Sequence, residues 1–162
     1  MNEAATALFA ASWTRPLAGV PAPQLQALVR RMRSGVDLRL AELLPPASTR
    51  EGVGAAMRDA VLAPGKRLRP LLMLATGRAL GHDSQALRDA ACAVEMVHAA
   101  SLVLDDMPCM DDASLRRGRP AVHLAHGEDV AVLAVVALLA QASSIVAGLP
   151  GLDGHLRSRL VG

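Results

Sequence analysis

The chain is nearly devoid of aromatic residues: Phe9 and Trp13 are its single phenylalanine and tryptophan, and it has no tyrosine. Its core must therefore be aliphatic, filled largely by the abundant Ala, Leu and Val. Ala and Leu favour helices, whereas strands draw on aromatic and β-branched residues. The sequence predicts an all-α fold, and 162 residues suffice for one domain with a real core.

Hydrophobic periodicity gives the helices. Residues 1–23, with Pro16, Pro21 and Pro23, read as a loose N-terminal arm carrying a short helix near Ala4 to Trp13. Residues 24–162 read as one helical domain. Leu25, Leu28, Val29, Met32, Val36, Leu40 and Leu43 recur at helical spacing over Gln24 to Leu44, and Pro45-Pro46 stops that helix. Ser48 with Glu51 three residues later forms a capping-box pattern for a helix running to Leu62. Arg69 to Leu80 is opened by Pro70 and closed by Gly81. Ser84 caps a long helix reaching Asp106, with Leu87, Ala91, Val94, Val97 and Leu102 on its apolar face. Met107 to Ala125 reads as loop. Glu128 to Ala147 is apolar nearly all round, which predicts burial on most sides. Gly148 to Gly154 is a turn, and a last helix starts at His155.

Charge is concentrated where the long helix ends. Asp105, Asp106, Asp111 and Asp112 lie within eight residues, and Arg116, Arg117 and Arg119 follow closely. Burying so many uncompensated ions would cost several kcal/mol each. Oxygen ligands without a His or Cys pattern suit a hard cation such as Mg²⁺. Arginines beside them suit phosphate, which they bind bidentately. The segment thus reads as a metal and diphosphate site. His98, Ser101 and Asp105 are spaced to share one helix face. On a continuous helix Asp105 and Asp111 would point about 120° apart. Both could serve one metal if Pro108 breaks the helix between them; Asp112 would share the face of Asp105 if it did not. Spacing alone leaves Asp111 and Asp112 open.

A second basic feature is the turn Gly65-Lys66-Arg67-Leu68-Arg69-Pro70, which holds the single lysine against sixteen arginines. Lys66, Arg69 and the amides of the following helix start would attract an anion. The net charge of +2, without a basic stripe interleaved with aromatics, gives no nucleic-acid signature. Cys92 and Cys109 make neither a metal nor a redox spacing, so a reduced, cytoplasmic setting is expected. The longest uninterrupted apolar run, Val130 to Ala140, falls short of the ~20 residues of a membrane span. The N-terminus has no basic start followed by an apolar stretch, so no secretory signal is expected.

Taken together, several motifs resemble those of the trans-isoprenyl diphosphate synthases. They are Gly65 to Pro70 (GKRLRP), Glu95-Met96-Val97-His98, Asp105 to Asp111 (DDMPCMD), Leu115 to Pro120 (LRRGRP) and the run from Gly127 to Ala134. The resemblance covers residue 24 onward. It implies an isoprenoid synthase-type helical bundle that joins isopentenyl diphosphate to an allylic diphosphate with Mg²⁺. Asp105 and Asp111 would be metal ligands, with Asp106 supporting and Asp112 a further candidate. Arg116 would contact the allylic diphosphate; Lys66, Arg69, His98 and Arg117 would hold isopentenyl diphosphate. Lys66, Asp105, Asp106, Asp111 and Arg116 are the residues expected to serve catalysis.

The subtype implied is the bacterial carotenoid-pathway geranylgeranyl diphosphate synthase. Pro108 and Cys109 form the two-residue insertion of the bacterial aspartate motif. Leu104 stands where many relatives carry His, and Val135-Val136 where many carry Gly-Asp. Ala100, the fifth residue before the first aspartate, with Ser101 beside it, is the expected chain-length gate. A small gate favours geranylgeranyl over farnesyl diphosphate. Family members are longer and carry a second aspartate-rich motif on a later helix. The chain is therefore expected to be the N-terminal portion of such an enzyme, inactive alone, with the full-length form a homodimer. The alternatives are a farnesyl diphosphate synthase, a non-catalytic synthase-like subunit that pairs with a complete partner, and a terpene cyclase. A cyclase has no second diphosphate to bind, so GKRLRP and His98 argue against it.

Overall fold

The structure is a computed structural model, and it describes residues 22–46 and 51–161. The expected helix near Ala4 to Trp13, most of the N-terminal arm and the Ser48 cap lie outside the described residues. Seven helices and one small hairpin follow in order: α1 (Ala22–Leu43), α2 (Gly52–Leu62), α3 (Leu68–Ala79), α4 (Gln85–Asp105), β1 (Leu115–Arg116), β2 (Arg119–Pro120), α5 (Val122–His126), α6 (Glu128–Ala147) and α7 (Gly154–Val161). The fold is all-α, as composition predicts. The chain divides into two units, residues 1–31 and 32–162. In the first, the described part of α1 leaves Leu25, Leu28 and Val29 exposed.

The second unit has one aliphatic core. Its centre is the packing of α4 on α6, with α2 and α3 against α4 and α5 and α7 against α6. The facing surfaces are rich in small residues: Ala91, Ala93, Ala99 and Ala100 on α4, and Ala131, Ala134 and Ala142 on α6, are buried. Interaxial distance follows the side chains at the contact, so such faces permit close approach. Leu40, Val61, Met96 and Leu138 belong to the same core and are fully buried. Each is worth roughly 1.5–3 kcal/mol of transfer free energy. Cys92 is also fully buried, and burial pushes its thiol up to about 12.

Helix ends follow the local chemistry. Ser84 accepts from the Leu87 amide at 3.2 Å and caps α4. Gly81, at φ +80, closes α3: its own amide reaches the Arg78 carbonyl and the His82 amide reaches that of Gly77. Four expectations are corrected. Helix α2 begins at Gly52, so Glu51 is its extended N-cap residue, without a side-chain cap bond, and not the third position of a capping box. Gly52, at φ +72, turns the chain into the helix only there.

Met107 to Ala125 is not all loop. Arg117 and Gly118 both take positive φ, 54° and 77°, which suits the tight turn that pairs Leu115 with Pro120 and Arg116 with Arg119. The five-residue α5 follows. Val94 and Val97 are exposed, because the core stripe of α4 is formed mainly by its alanines with Cys92, Met96 and Val103. Helix α6 buries one side only: Ala131, Ala134, Val135, Leu138 and Ala142 face the core, whereas Val132, Leu133, Val136 and Leu139 face outward. By length and composition α6 is apolar enough to cross a membrane, a point the count of uninterrupted apolar residues misses. Its buried face is nevertheless part of the common core.

Candidate functional site

The turn between α2 and α3 is held from below by its middle arginine. Arg67 is 4 % exposed and takes φ +52. Its Nε donates to Asp37 Oδ1 at 2.7 Å, Nη1 to Glu95 Oε1 at 3.0 Å and Nη2 to the Ala63 carbonyl at 3.1 Å. The flanking cations Lys66 and Arg69 remain exposed. Arg117 approaches the turn from the hairpin and donates through Nη1 to the carbonyl of Pro64 at 2.9 Å. A Cβ on Gly65 would collide with that guanidinium, so any larger residue there would make Arg117 shift.

These contacts shape a groove of ≈ 570 Å³ whose lining includes Lys66, Arg69, His98 and Arg117, with Arg33 and Glu95. All four residues expected to hold isopentenyl diphosphate thus share one cavity. His98 is half-buried. Burial first, then the positive charge of Arg69, holds its imidazole below the ordinary value of 6.5, against the opposing pull of Glu95. It is therefore neutral at pH 7, able to donate from one nitrogen and accept at the other. An adjoining groove of ≈ 480 Å³ also draws on Arg69 and His98 and is continued by Val94, Val97 and Ser101. The Ser101 hydroxyl is engaged, donating to the His98 carbonyl at 2.9 Å. Ala100, its neighbour, is fully buried in the core.

The aspartate segment folds differently. Helix α4 stops at Asp105, three residues before Pro108, and the chain doubles back. The Asp111 amide donates to the Asp105 carbonyl at 2.9 Å, closing a gap that a continuous helix would hold near 9 Å. Asp105 is half-buried, and Asp111 and Asp112 are exposed, Asp112 at φ +49. Asp106 is buried and committed to an ion pair: Arg116 Nε lies 2.9 and 3.0 Å from its two oxygens. That pairing raises the Arg116 guanidinium above its ordinary range. Arg116 lines a cavity of ≈ 240 Å³ beneath the hairpin with Asp106, Asp59 and His126; the last two pair at 2.8 Å.

Among the described residues no group of three or more His, Cys, Asp or Glu side chains is arranged to hold a metal. Mg²⁺ in phosphate sites is commonly held by one or two carboxylates plus phosphate oxygens. Asp105 and Asp111, whose backbones the loop brings together and which make no ion pair among the described residues, fit that smaller requirement; Asp106 does not, because Arg116 occupies it.

Sequence reasoning missed the triad of Arg67, Asp37 and Glu95, as well as Arg33 on the groove. Glu95 carried a usable signal, a lone carboxylate inside the apolar run from Ala90 to Val97 that must find a partner when buried. Asp37 carried none, since it is half-exposed and ordinary in a polar helix.

The polyprenyl synthetase family model matches residues 51–159. A geranylgeranyl diphosphate synthase of Pantoea ananas is 56 % identical over 135 residues, which cover 81 % of this chain and 44 % of that protein. One of Pseudescherichia vulneris is 51 % identical over 132 residues, covering 80 % and 43 %. The chain therefore spans less than half the length of these relatives. Among solved structures, an apo FPP/GFPP synthase of Zymomonas mobilis superposes with a TM-score of 0.78 at 40 % identity, covering 87 % of this chain and 51 % of that one. A geranyltranstransferase of Thermotoga maritima gives 0.74 at 36 % identity, covering 82 % and 49 %. With its bundle of helices, its basic groove and its aspartate loop, the chain belongs to the polyprenyl synthetase family.

Proposed function

We propose that this chain supplies the isopentenyl diphosphate groove and one wall of the allylic diphosphate site of a prenyltransferase whose product is geranylgeranyl diphosphate. One observation carries the reading: Lys66, Arg69, His98 and Arg117, drawn from a turn, two helices and a hairpin, line a single groove. Three fixed cations and a neutral imidazole suit a diphosphate better than a monoanion. The relatives named for geranylgeranyl diphosphate support the product.

In this reading the allylic C–O bond breaks and diphosphate departs with the electron pair. The double bond of isopentenyl diphosphate attacks the resulting cation, a C–C bond forms, and a proton is lost to give the new alkene. Fixed positive charge lowers the barrier by stabilising charge as it develops on the leaving group. Lys66, Arg69 and Arg117 hold and orient the nucleophilic substrate, with neutral His98 donating one hydrogen bond. Arg116 is drawn from Asp106 toward the departing diphosphate. Asp105 and Asp111 would hold Mg²⁺, which supplies further neutralisation of that leaving group. A cation intermediate demands exclusion of water. The described residues leave the grooves open, so we expect substrate binding without useful turnover by this polypeptide alone. The full-length form is read as a cytoplasmic homodimer.

The test is calorimetric titration of the chain with isopentenyl diphosphate, beside an assay with labelled isopentenyl and farnesyl diphosphates and Mg²⁺. Saturable binding and at most trace product are expected; a chain that binds no isopentenyl diphosphate would sink the proposal. The outward apolar face of α6, with Val132, Leu133, Val136 and Leu139, favours one second reading, a synthase-like subunit that pairs with a complete synthase. Stoichiometric co-purification with such a synthase, and a change in its product length, would favour that reading.

A further inference from the structure

Behind the groove stands a charged cluster whose half-exposed member, Asp37, also lies 3.9 Å from the surface cation Arg33. The guanidinium of Arg67 spends its donors on Asp37 of α1, Glu95 of α4 and the carbonyl of Ala63. Three elements therefore meet on one side chain. Its backbone sits in the left-handed region, at φ +52, a conformation that non-glycine residues hold only where surrounding packing imposes it. The Arg67 carbonyl accepts from the Leu71 amide at 3.1 Å, so the same residue also sets the first turn of α3. Lys66 and Arg69 project from the backbone that this side chain fixes.

Glu95 is the other half of the arrangement. It is 3 % exposed, yet it borders the groove alongside Lys66, Arg69, His98 and Arg117. A bare carboxylate there would draw those cations to itself and repel an incoming anion. Arg67 prevents both effects by occupying it. Asp37, the remaining partner, is 40 % exposed and tolerates solvent on its own.

We propose that Arg67 is a positioning residue for the diphosphate: it sequesters the Glu95 carboxylate, keeping Lys66, Arg69, His98 and Arg117 available to the ligand. The proposal deepens the functional reading above and rests on it, since it takes the groove as the isopentenyl diphosphate site. Arg67 acts through Glu95: three of its five N–H donors go to Asp37, Glu95 and the Ala63 carbonyl, and its side chain is 4 % exposed.

Calorimetric titration of isopentenyl diphosphate into the parent chain and into R67M, E95Q, R67M/E95Q and R67K tests this, with thermal melts on each. R67M leaves Glu95 unpaired and should weaken binding by about tenfold to thirtyfold. E95Q, R67K and the double variant should stay within about threefold of the parent, because in each the groove meets no unpaired carboxylate. A purely structural role for Arg67 predicts instead that the double variant binds as poorly as R67M, and that result overturns the proposal. So does an R67M that binds like the parent. If R67M does not melt cooperatively, R67K and the double variant decide alone: parent-like binding by both supports the proposal, and loss in either overturns it. A parent chain that binds no isopentenyl diphosphate brings down the functional reading together with this role. A parent that binds and is matched by R67M brings down this role only.

Discussion

In the turn from Ala63 to Pro70, a buried arginine ties three elements together, and the ligand-facing cations stand on the backbone it holds. In the loop from Asp106 to Ala113, the fixing contacts are backbone hydrogen bonds and one ion pair, that of Asp106 with Arg116. The basic turn gathers its partners from α1, α4 and the hairpin, all within this chain. The aspartate loop leaves Asp111 and Asp112 facing outward, with no third acidic ligand nearby among the described residues. A groove lined by cations can thus be preformed by one stretch of polypeptide, whereas the aspartate loop gathers no third acidic side chain among the described residues. Fixed cations need only be placed, whereas a metal site needs convergent donors.

Substitutions separate the two constructions of charge. Arg67→Ala should cost most, about 3–5 kcal/mol, because it strands the buried Glu95 carboxylate; urea denaturation of the chain measures it. Asp106→Ala should cost less, about 1–3 kcal/mol, because the guanidinium it releases is already partly in water. An equal or reversed order by the same method would break the contrast.

His98 gives a smaller, pH-dependent effect. Its folded imidazole titrates below 6.5, so the folded state takes up its proton later than the unfolded chain as pH falls. Its contribution to stability is full above pH 6.5 and is lost as the pH falls through the folded value. H98N should flatten the stability profile in that window, and an NMR titration should show the imidazole moving upward when isopentenyl diphosphate is added. An unchanged profile in H98N would remove the electrostatic account of His98. Least of all, Asp111→Ala should leave stability within about 0.5 kcal/mol, since its side chain is exposed. A larger loss would mean that the loop carries structure its backbone bonds do not explain.

Much of this was legible in the sequence. The scarcity of aromatics pointed to helices, and the apolar run from Val130 placed α6. Proline at 108 offered a reason for a break between Asp105 and Asp111 but left Asp111 and Asp112 open, and the helix already ends at Asp105. What stayed hidden has physical causes. Alanine stripes give weak amphipathic contrast, so a core face read through Leu87, Ala91, Val94, Val97 and Leu102 includes two exposed valines and misses Ala93, Ala99 and Ala100. The outer face of α6 could not be read, because burial depends on which neighbours cover a helix as well as on how apolar it is. Arg67 looked like one more cation in a basic turn, since sequence shows charge but not which charges are withdrawn from solvent. Ala100 and Ser101 were read as one gate, yet adjacent positions on a helix point about 100° apart, and only Ser101 meets a groove.

The hairpin at Leu115 to Pro120 sorts two identical side chains. Arg116 goes to Asp106, and Arg117, one residue on, goes to the carbonyls above Gly65. Nothing in their chemistry distinguishes them; their address is set by the phase of a two-residue turn. Strand geometry reverses facing at every step, so inserting or deleting one residue there would exchange the destinations without altering composition or charge. Point changes at the exposed Leu115 should be absorbed, while a change of length in the turn should be read as a mis-sorted message.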